Sequence, residues 1–266
     1  MASISMSDIY CNGTIFENDD EQLIYLTPSF PQRYTSNTWI YKKTPTQERW
    51  LKDLERQHQL HTNQGSNHYA FSFPENEQLD NHWMAMFKDM NFELGIMELY
   101  AIESDALANL PRNSDVEIAI VDESHIDAYL KVAYQFSLPF GKDYADAHEE
   151  MVREHYQKDV IKRLVAYLNN EPIGVVDVIE SENYIELDGF GVLEQFRHQG
   201  IGSTIQSLIG EYAISKNHKP IILVADGEDT AKDMYAKQGY VYQSFLLSNI
   251  KRRYWKLTID DRFVLE

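Results

Sequence analysis

From about Glu117 to the C-terminus, strand patterns alternate with helical patterns, and this order limits the folds open to the chain. The stretch "RLVAYLNNEPIGVVDVIE" contains two apolar runs divided by Asn- and Pro-containing turn residues, which predicts a β-hairpin. Further strands are predicted at "NYIELDGFGV", "PIILVAD" and "YVYQSFLL". Helices are predicted at "SHIDAYLKVAYQFSLPF", "HEEMVREHYQKDVI", "GSTIQSLIGEYAISKN" and "TAKDMYAKQ". This order predicts an α/β fold with a central mixed β-sheet flanked by helices.

The first part of the chain predicts a smaller α/β unit. Two helical patterns, the first beginning near Thr46, alternate with strand patterns such as "HYAFSF". The Pro-containing stretch "LANLPRNSD" is the best linker candidate, because it separates two patterned regions. We therefore expect one domain over residues 1–110 and a second over residues 111–266.

Two segments share one local order. "MFKDMNFELGIMELYAI" and "MYAKQGYVYQSFLLSNI" both run from a helix end, through an aromatic residue, into a strand. One interpretation is a diverged duplication; the other is that such a common pattern arose twice. The last stretch, "RRYWKLTI", is predicted to pair at the edge of the sheet.

The composition of the chain favours some classes of function over others. The 266 residues are 43% hydrophobic, as in a folded protein, and a net charge of −18 disfavours nucleic acid or anionic membrane as a partner. This charge suits a cationic small molecule, although a solvated acidic surface is the alternative. The one cysteine, Cys11, excludes an intramolecular disulfide. No signal peptide or apolar span is recognisable, so a cytoplasmic location is expected.

The stretch "EQFRHQGIGSTIQ" places two glycines at the start of a helix, where glycine is unfavourable. A helix start offers unpaired N–H groups and the positive end of the helix dipole, and a residue without a side chain lets a phosphate approach them. Arg197 adds a charged donor just before the turn. The dinucleotide-binding fingerprint fits poorly, because its third glycine is missing.

The stretch "FRHQGIGSTI" resembles motif A of the GNAT N-acetyltransferase superfamily, whose core is Arg/Gln-x-x-Gly-x-Gly/Ala. Arg197, Gly200 and Gly202 match this core. A second block, "TAKDMYAKQGYVY", is similar to the family's alanine, tyrosine and Gly-aromatic pattern, through Ala231, Tyr235, Gly239 and Tyr240. The resemblance covers roughly the last 150 residues. It departs at Glu228, where many members carry asparagine.

The resemblance implies a GNAT fold, with the N-terminal unit as a hypothetical degenerate relative, and acetyl-CoA as the acyl donor. It places the pyrophosphate on the turn formed by Arg197, His198, Gly200, Ile201, Gly202 and Ser203. The pantetheine arm would pair with backbone near Val192, where neighbouring strands splay apart in the family. Gly189 and Gly191 suit a bulge at this place, or they only let the strand twist.

The chemistry of amine acetylation needs a base and an acid. An alkylamine with a pKa of about 10 is protonated at neutral pH and must lose a proton before attack. Glu186 is the preferred general base, although a surface carboxylate is the commoner reason for such a residue. The resemblance implies that Tyr235 protonates the departing thiolate, against the alternative that it only packs in the core. A backbone N–H near Val192 would hold the oxyanion.

The sequence therefore predicts an N-acetyltransferase that moves an acetyl group from acetyl-CoA to an amine of a small molecule or peptide. The alternative is a non-catalytic acyl-CoA sensor or interaction module; a tandem-domain aminoacyl or peptidyl transferase is disfavoured by the negative charge. A cleft between the two domains would take the acceptor, and the N-terminal domain would line it or mediate a homodimer. No metal site is expected, and His58, His61 and His68 are expected to be exposed polar residues.

Overall fold

The computed structural model describes residues 4–157, 160–227 and 231–252. These residues divide into two compact units. The main unit consists of residues 4–10 and Met97–Phe245, and the small unit consists of Cys11–Ile96 and residues 246–252. The chain thus passes from one unit to the other after residues 10, 96 and 245, whereas the sequence predicts a single domain boundary after residue 110. That domain division remains a prediction about the chain.

The elements of the small unit come first along the chain. They are β1 (Ile15–Asn18), β2 (Gln22–Tyr25), β3 (Trp39–Tyr41), α1 (Gln47–Gln64), β4 (His68–Ser72) and α2 (Asn81–Asp89). The next strand, β5 (Glu93–Ile102), passes from the small unit into the main unit.

The main unit continues with helices and strands in alternation. They are α3 (Ser104–Ala108), β6 (Val116–Ile120), α4 (Ile126–Ser137), α5 (Lys142–His155), β7 (Ile161–Leu168), β8 (Glu171–Glu180), β9 (Ile185–Val192), α6 (Ile201–Ser215), β10 (Ile221–Asp226), α7 (Ala231–Gln238) and β11 (Val241–Arg252). The last strand, β11, returns from the main unit to the small unit.

The strands of the main unit lie in the order β5-β10-β9-β8-β7-β6. All neighbours in this series are antiparallel except β9 and β10, which are parallel. On one face, apolar residues of α3, α6 and α7 pack on the sheet, and on the other face those of α4 and α5 do so. The sequence prediction of a mixed sheet flanked by helices is confirmed.

The β7–β8 hairpin shows how the turn residues act. Asn169 and Asn170 have φ values of 51° and 65°, the left-handed conformation that a two-residue hairpin turn of this hand requires. Asparagine tolerates this conformation better than most residues with a side chain. The predicted hairpin is confirmed. In contrast, α5 begins at Lys142, six residues before the predicted start at His148, and the short strand β6 has no predicted counterpart.

The segment predicted as a linker is hydrogen-bonded along α6. The Nε–H of Arg112 donates to Ser207 Oγ at 2.9 Å, and the backbone N–H of Asn113 donates to Thr204 Oγ1 at 2.8 Å. Just before it, α3 packs so closely on α6 that a Cβ on Gly210 would lie 2.3 Å from the backbone nitrogen of Ala108. The chain from α3 to Asn113 is therefore fixed to the helix that carries the glycine turn.

The small unit has a core of large aromatic side chains. Its strands lie in the order β1-β2-β3-β4-β11, with β3 and β4 parallel and the other pairs antiparallel. The rings of Trp50 and Trp83 meet edge to face at 5.9 Å, and Phe71, Phe87 and Phe92 surround Trp50. Thr46 caps α1 by accepting a hydrogen bond from the Arg49 N–H, as its position in the sequence predicts.

Two sequence predictions lie outside the described residues. These are the edge strand "RRYWKLTI" beyond Arg252 and the departure from the family pattern at Glu228. Within the described part of the chain, every helix is too short or too polar to cross a membrane.

Candidate functional site

The glycine turn before α6 exposes backbone donors. Gly200 is the N-cap of α6 with φ 77°, and His198 also adopts a positive φ of 63°. The first bond into the helix runs from the Thr204 N–H to the Gly200 carbonyl. Among the described residues, the N–H groups of residues 201–203 have no acceptor, as expected for a first helical turn. Unpaired N–H groups at the positive end of a helix dipole are an arrangement that favours an anion.

Three side chains fix or complete this turn. The Nε–H of Arg197 donates to the carbonyl of Val192 at 3.2 Å, which ties the exposed guanidinium to the end of β9. The Asn113 amide donates to the Gln199 carbonyl at 2.9 Å, and the Thr204 hydroxyl donates to the Gly200 carbonyl at 2.8 Å. The structure thus brings residues 197–203 together with Val192. Asn113 has no sequence signal that links it to this turn, because 86 residues separate it from Gln199.

The sheet opens beside the turn. The parallel ladder between β9 and β10 comprises only Ile185–Leu187 and Ile221–Leu223, although β9 continues to Val192 and β10 to Asp226. The Leu193 N–H donates to the Ile173 carbonyl of β8, so alternation in an antiparallel ladder directs the peptide groups of Val192 away from β8. The end of β9 therefore presents its Val192 edge to the opening, as the resemblance implies.

A β-bulge shapes the same part of β9. The register with β8 shifts between the pairs Val175–Gly191 and Asp177–Asp188, which leaves one extra residue on β9. Gly189, in this extra stretch, has φ 57°. A Cβ on Gly191 would lie 2.6 Å from the Phe136 ring of α4. Of the two interpretations of these glycines, the structure supports the bulge for Gly189 and close helix packing for Gly191.

Glu186 is a buried carboxylate on the central strand β9. It is 6% exposed, and the backbone N–H of Tyr10 donates to its Oε2 at 2.7 Å. Burial raises the pKa of Glu186 to about 7, and the neighbouring charge of Asp188 acts in the same direction, while the Tyr10 amide lowers it. A carboxyl with a pKa near neutrality exchanges protons readily at physiological pH. The surface-carboxylate alternative for Glu186 is therefore wrong.

Glu186 shares its face of the sheet with a charged row. Arg163, Asp177 and Asp188 lie opposite one another on β7, β8 and β9, which places their side chains on one face. The hydroxyl of Tyr129, on α4, donates to Asp177 at 2.6 Å, and burial together with this carboxylate raises the pKa of Tyr129. Asp188 is exposed next to the bulge. This face therefore presents acidic groups beside the opening between β9 and β10.

Tyr235 lies on the opposite face. It is 8% exposed and belongs to the cluster formed with α6, where its ring is 5.3 Å from that of Tyr240 and 6.3 Å from that of Tyr100. The hydroxyl of Tyr240 donates to Gln206 at 2.9 Å. Glu186 and Tyr235 thus lie on opposite faces of the sheet. Their catalytic roles, and the cofactor roles of residues 197–203, remain predictions.

The histidines of the small unit correct one expectation. His61 and His68 are completely buried, not exposed: His61 lies on the inner side of α1 and His68 begins the buried strand β4. The Nδ1–H of His61 donates to the His68 carbonyl at 2.7 Å, and the Nε2–H of His68 donates to the Asn37 carbonyl at 3.1 Å. Because a carbonyl oxygen only accepts, each of these two ring nitrogens carries the hydrogen.

Burial lowers the pKa of His61 to about 4 and that of His68 to about 3. Across the described ranges, no three His, Cys, Asp or Glu side chains form a group with metal-ligand geometry. His58, which is partly buried, contacts the Tyr69 hydroxyl through its Nδ1 at 3.1 Å. The three histidines are thus packing and hydrogen-bonding residues of the small unit.

Two family profiles match the sequence. Residues 129–240 match the acetyltransferase (GNAT) family, and residues 4–100 match a domain of unknown function, DUF5613. An uncharacterized N-acetyltransferase of Archaeoglobus fulgidus is 27% identical over 135 residues, which cover 46% of this chain and 91% of that protein.

Two solved structures are similar over nearly the whole chain. A functionally unknown conserved protein from Staphylococcus epidermidis is 48% identical with a TM-score of 0.90, and the match covers 94% of this chain and 98% of that one. A GCN5-related N-acetyltransferase from Kribbella flavida has a TM-score of 0.61 at 13% identity, over 91% of this chain and 90% of that one. At this identity the second likeness concerns the fold alone.

Proposed function

Because the chain belongs to the GNAT superfamily, whose general chemistry is acyl transfer, we propose that it moves an acetyl group from acetyl-CoA to an amine. The acceptor is an amine of a small molecule or a peptide. The observation that carries the proposal is the glycine turn before α6, with three unpaired N–H groups beside an open sheet.

The negative charge of the donor's pyrophosphate suits the turn. The N–H groups of residues 201–203 point out of the first turn of a 15-residue helix, where a pyrophosphate gains hydrogen bonds and the favourable helix dipole. Gly200, His198 and Arg197 are exposed, so the approach is open. The guanidinium of Arg197 supplies a charge-assisted donor beside the same anion. Ile201 and Ser203 contribute their backbone N–H groups, and the proposed contact with the pyrophosphate needs neither side chain.

The pantetheine arm fits the opening between β9 and β10. It carries amide groups that pair with a strand edge, and the backbone of Val192 faces the opening. An arm bound in this way brings the thioester to the divergence of the two strands. Glu186 then lies on one face of the sheet near the divergence, and Tyr235 lies on the other.

The reaction follows from these positions. The acceptor ammonium gives a proton to the Glu186 carboxylate, directly or through water, and the amine lone pair then attacks the thioester carbonyl carbon. The Val192 N–H donates to the oxyanion of the tetrahedral intermediate. The C–S bond breaks, the Tyr235 hydroxyl protonates the departing thiolate of coenzyme A, and the nitrogen releases its second proton through water to the Tyr235 phenolate, which leaves a neutral amide and restores the hydroxyl. No covalent enzyme intermediate is needed, since the nucleophile attacks the donor directly.

Calorimetry and a thiol-release assay test the proposal together. We expect acetyl-CoA to bind with measurable heat, and coenzyme A to be released in the presence of at least one amine from a panel of polyamines, amino sugars and peptide N-termini. No heat with any coenzyme A thioester would contradict donor binding. Heat without thiol release for every amine would contradict the enzymatic role and favour an acyl-CoA sensor.

A further inference from the structure

The N-terminal segment, residues 4–10, belongs to the main unit although the chain enters the small unit at Cys11. A short 3-10 turn, Met6–Asp8, organises it: the Ser5 N–H donates to the Asp8 carboxylate at 2.9 Å. Ile4, Met6 and Ile9 pack against a buried apolar cluster on the sheet, formed by Leu99, Ala101, Tyr184 and Ile222. The segment is thus anchored by burial of three apolar side chains.

This anchoring delivers one backbone donor to the buried carboxylate. Ile222 lies directly opposite Glu186 in the β9–β10 ladder, so the cluster that holds the segment borders Glu186. The Tyr10 N–H donates to Glu186 Oε2 at 2.7 Å. Among the described residues, it is the only hydrogen-bond donor to this carboxylate. The second oxygen, Oε1, remains available to receive a proton.

We propose that the backbone amide of Tyr10 is a positioning group of the reaction: it orients the Glu186 carboxylate and favours the ionised form that accepts the acceptor's proton. This inference rests on the proposed function, because it assigns the base of that reaction a fixed partner. The side chain of Tyr10 has no part in it. The N-terminal segment therefore completes the site from 176 residues away in the sequence.

The Tyr10 amide opposes the other influences on the pKa of Glu186. Asp188, two residues further along β9 on the same face, raises the pKa of Glu186, and burial raises it further. Other titratable groups near this face are Tyr184 and Asp8 towards the N-terminal segment, Asp226 at the end of β10, and Asp177, Arg163 and Tyr129 towards β7 and α4. The Tyr10 amide is the one hydrogen-bonded group that lowers the pKa of Glu186.

A proline substitution removes the donor selectively. Tyr10→Pro deletes the N–H, and Tyr10→Ala deletes the same side chain but keeps the N–H, so the pair isolates the amide. Ile9 has φ −73° and ψ 129°, a conformation that suits a residue before proline. Tyr10 is 37% exposed, so loss of its side chain leaves little empty space in the core.

We expect the acidic limb of the kcat/KM profile against pH to lie about one unit higher in Tyr10→Pro than in Tyr10→Ala, because the ionised carboxylate loses a donor. With the pKa of Glu186 starting at about 7, this shift lowers kcat/KM near pH 7 by about fivefold, while the affinity for acetyl-CoA is the same in the two variants. Equal profiles in the two variants would overturn the proposal.

A direct titration separates this proposal from the proposed function. In protein labelled with ¹³C at the glutamate carboxyl carbons, the Glu186 signal is assigned by its loss in Glu186→Gln and followed with pH. We expect a higher midpoint in Tyr10→Pro than in Tyr10→Ala even if no acceptor is found. Ile9→Ser, which weakens the anchor and keeps the amide, tests the same point if the proline variant fails to fold. We expect its midpoint to lie above that of Tyr10→Ala, and an equal midpoint in these two variants would contradict the proposal.

Discussion

The main unit and the small unit bury titratable groups of opposite kind. In the main unit, Glu186 has its pKa raised to about 7 beside an opening in the sheet. In the small unit, His61 and His68 have pKa values lowered to about 4 and 3 inside a closed aromatic core. Burial disfavours the charged form in both cases, but Glu186 lies one residue before the end of the β9–β10 ladder, where the two strands part. A perturbed pKa indicates a site only when the structure gives access to the group.

Glu186 and His61 make opposite contributions to the pH dependence of stability. For Glu186 the folded pKa lies above the unfolded value of 4.5, so stability present below pH 4.5 is lost as the pH rises to about 7. For His61 the folded pKa lies below the unfolded value of 6.5, so stability present above pH 6.5 is lost as the pH falls to about 4. Each shift of about 2.5 units corresponds to about 3 kcal/mol.

The sharpest way to break this comparison is Glu186→Gln. An amide cannot accept the acceptor's proton, so we expect kcat to fall about a thousandfold while acetyl-CoA still binds. Steady-state thiol release and calorimetry measure the two quantities. The matched control is Asp188→Asn, which removes a carboxylate from the same face and leaves Glu186 intact. Turnover by Glu186→Gln at the wild-type rate would remove Glu186 from the mechanism.

The next largest effect concerns the histidine pair. Asparagine places an N–H near the position of Nδ1, so His61→Asn keeps a donor for the His68 carbonyl but cannot gain a proton. His61 lowers the free energy of unfolding by about 3 kcal/mol as the pH falls from 6.5 to 4. We expect the His61→Asn variant to lack this contribution, so that its stability falls by about 3 kcal/mol less than that of the wild type over the same range. Urea unfolding followed by fluorescence of the buried Trp39, Trp50 and Trp83 reports on the small unit. An unaltered acid dependence would show that His61 does not titrate on unfolding.

Arg197→Glu tests whether the main unit binds the phosphates of acetyl-CoA and the small unit does not. Reversing the charge removes a charge-assisted donor and repels phosphate, so we expect the Kd for acetyl-CoA to rise about thirtyfold, or about 2 kcal/mol. Arg252→Glu is the control, because it makes the same charge change at an exposed residue of the small unit. Calorimetry that gives equal affinities for the two variants would contradict the phosphate site.

The smallest predicted effect is that of Tyr235→Phe. The substitution keeps the ring in its packed cluster and removes only the hydroxyl, so we expect kcat to fall about tenfold with little change in acetyl-CoA affinity. Tyr240→Phe is the matched control for loss of a buried hydroxyl in the same cluster. If the two variants turn over alike, Tyr235 acts through packing and does not supply the proton.

Local signals predicted the parts of the fold that depend on local physics. The cap at Thr46, the Asn-Asn turn and the glycine helix start are each decided by a few consecutive residues, and the structure has all three. The strands β1, β2, β3 and β6 could not be predicted, because they have three to five residues each, too few to give a periodic pattern.

Long-range contacts explain the rest of what the sequence did not predict. The Tyr10 amide reaches Glu186 only because the N-terminal segment folds back onto the main unit, and no residue type in "SDIYC" signals this. The burial of His61 and His68 depends on how α1 packs on β4, which spacing along the chain does not reveal. The glycine turn before α6 could be predicted because the residues that form it are consecutive in the sequence.

The place of β5 in the sheet has a practical consequence for dissecting the protein. All six residues of β10 pair with Met97–Ile102, which precede both the family match at residue 129 and the boundary expected at residue 110. A fragment that starts at residue 111 would leave the apolar strand "IILVAD" with one bare edge along its whole length. Such an edge recruits strands from other molecules, so insolubility of that fragment would report a missing neighbour and not a defective acetyltransferase.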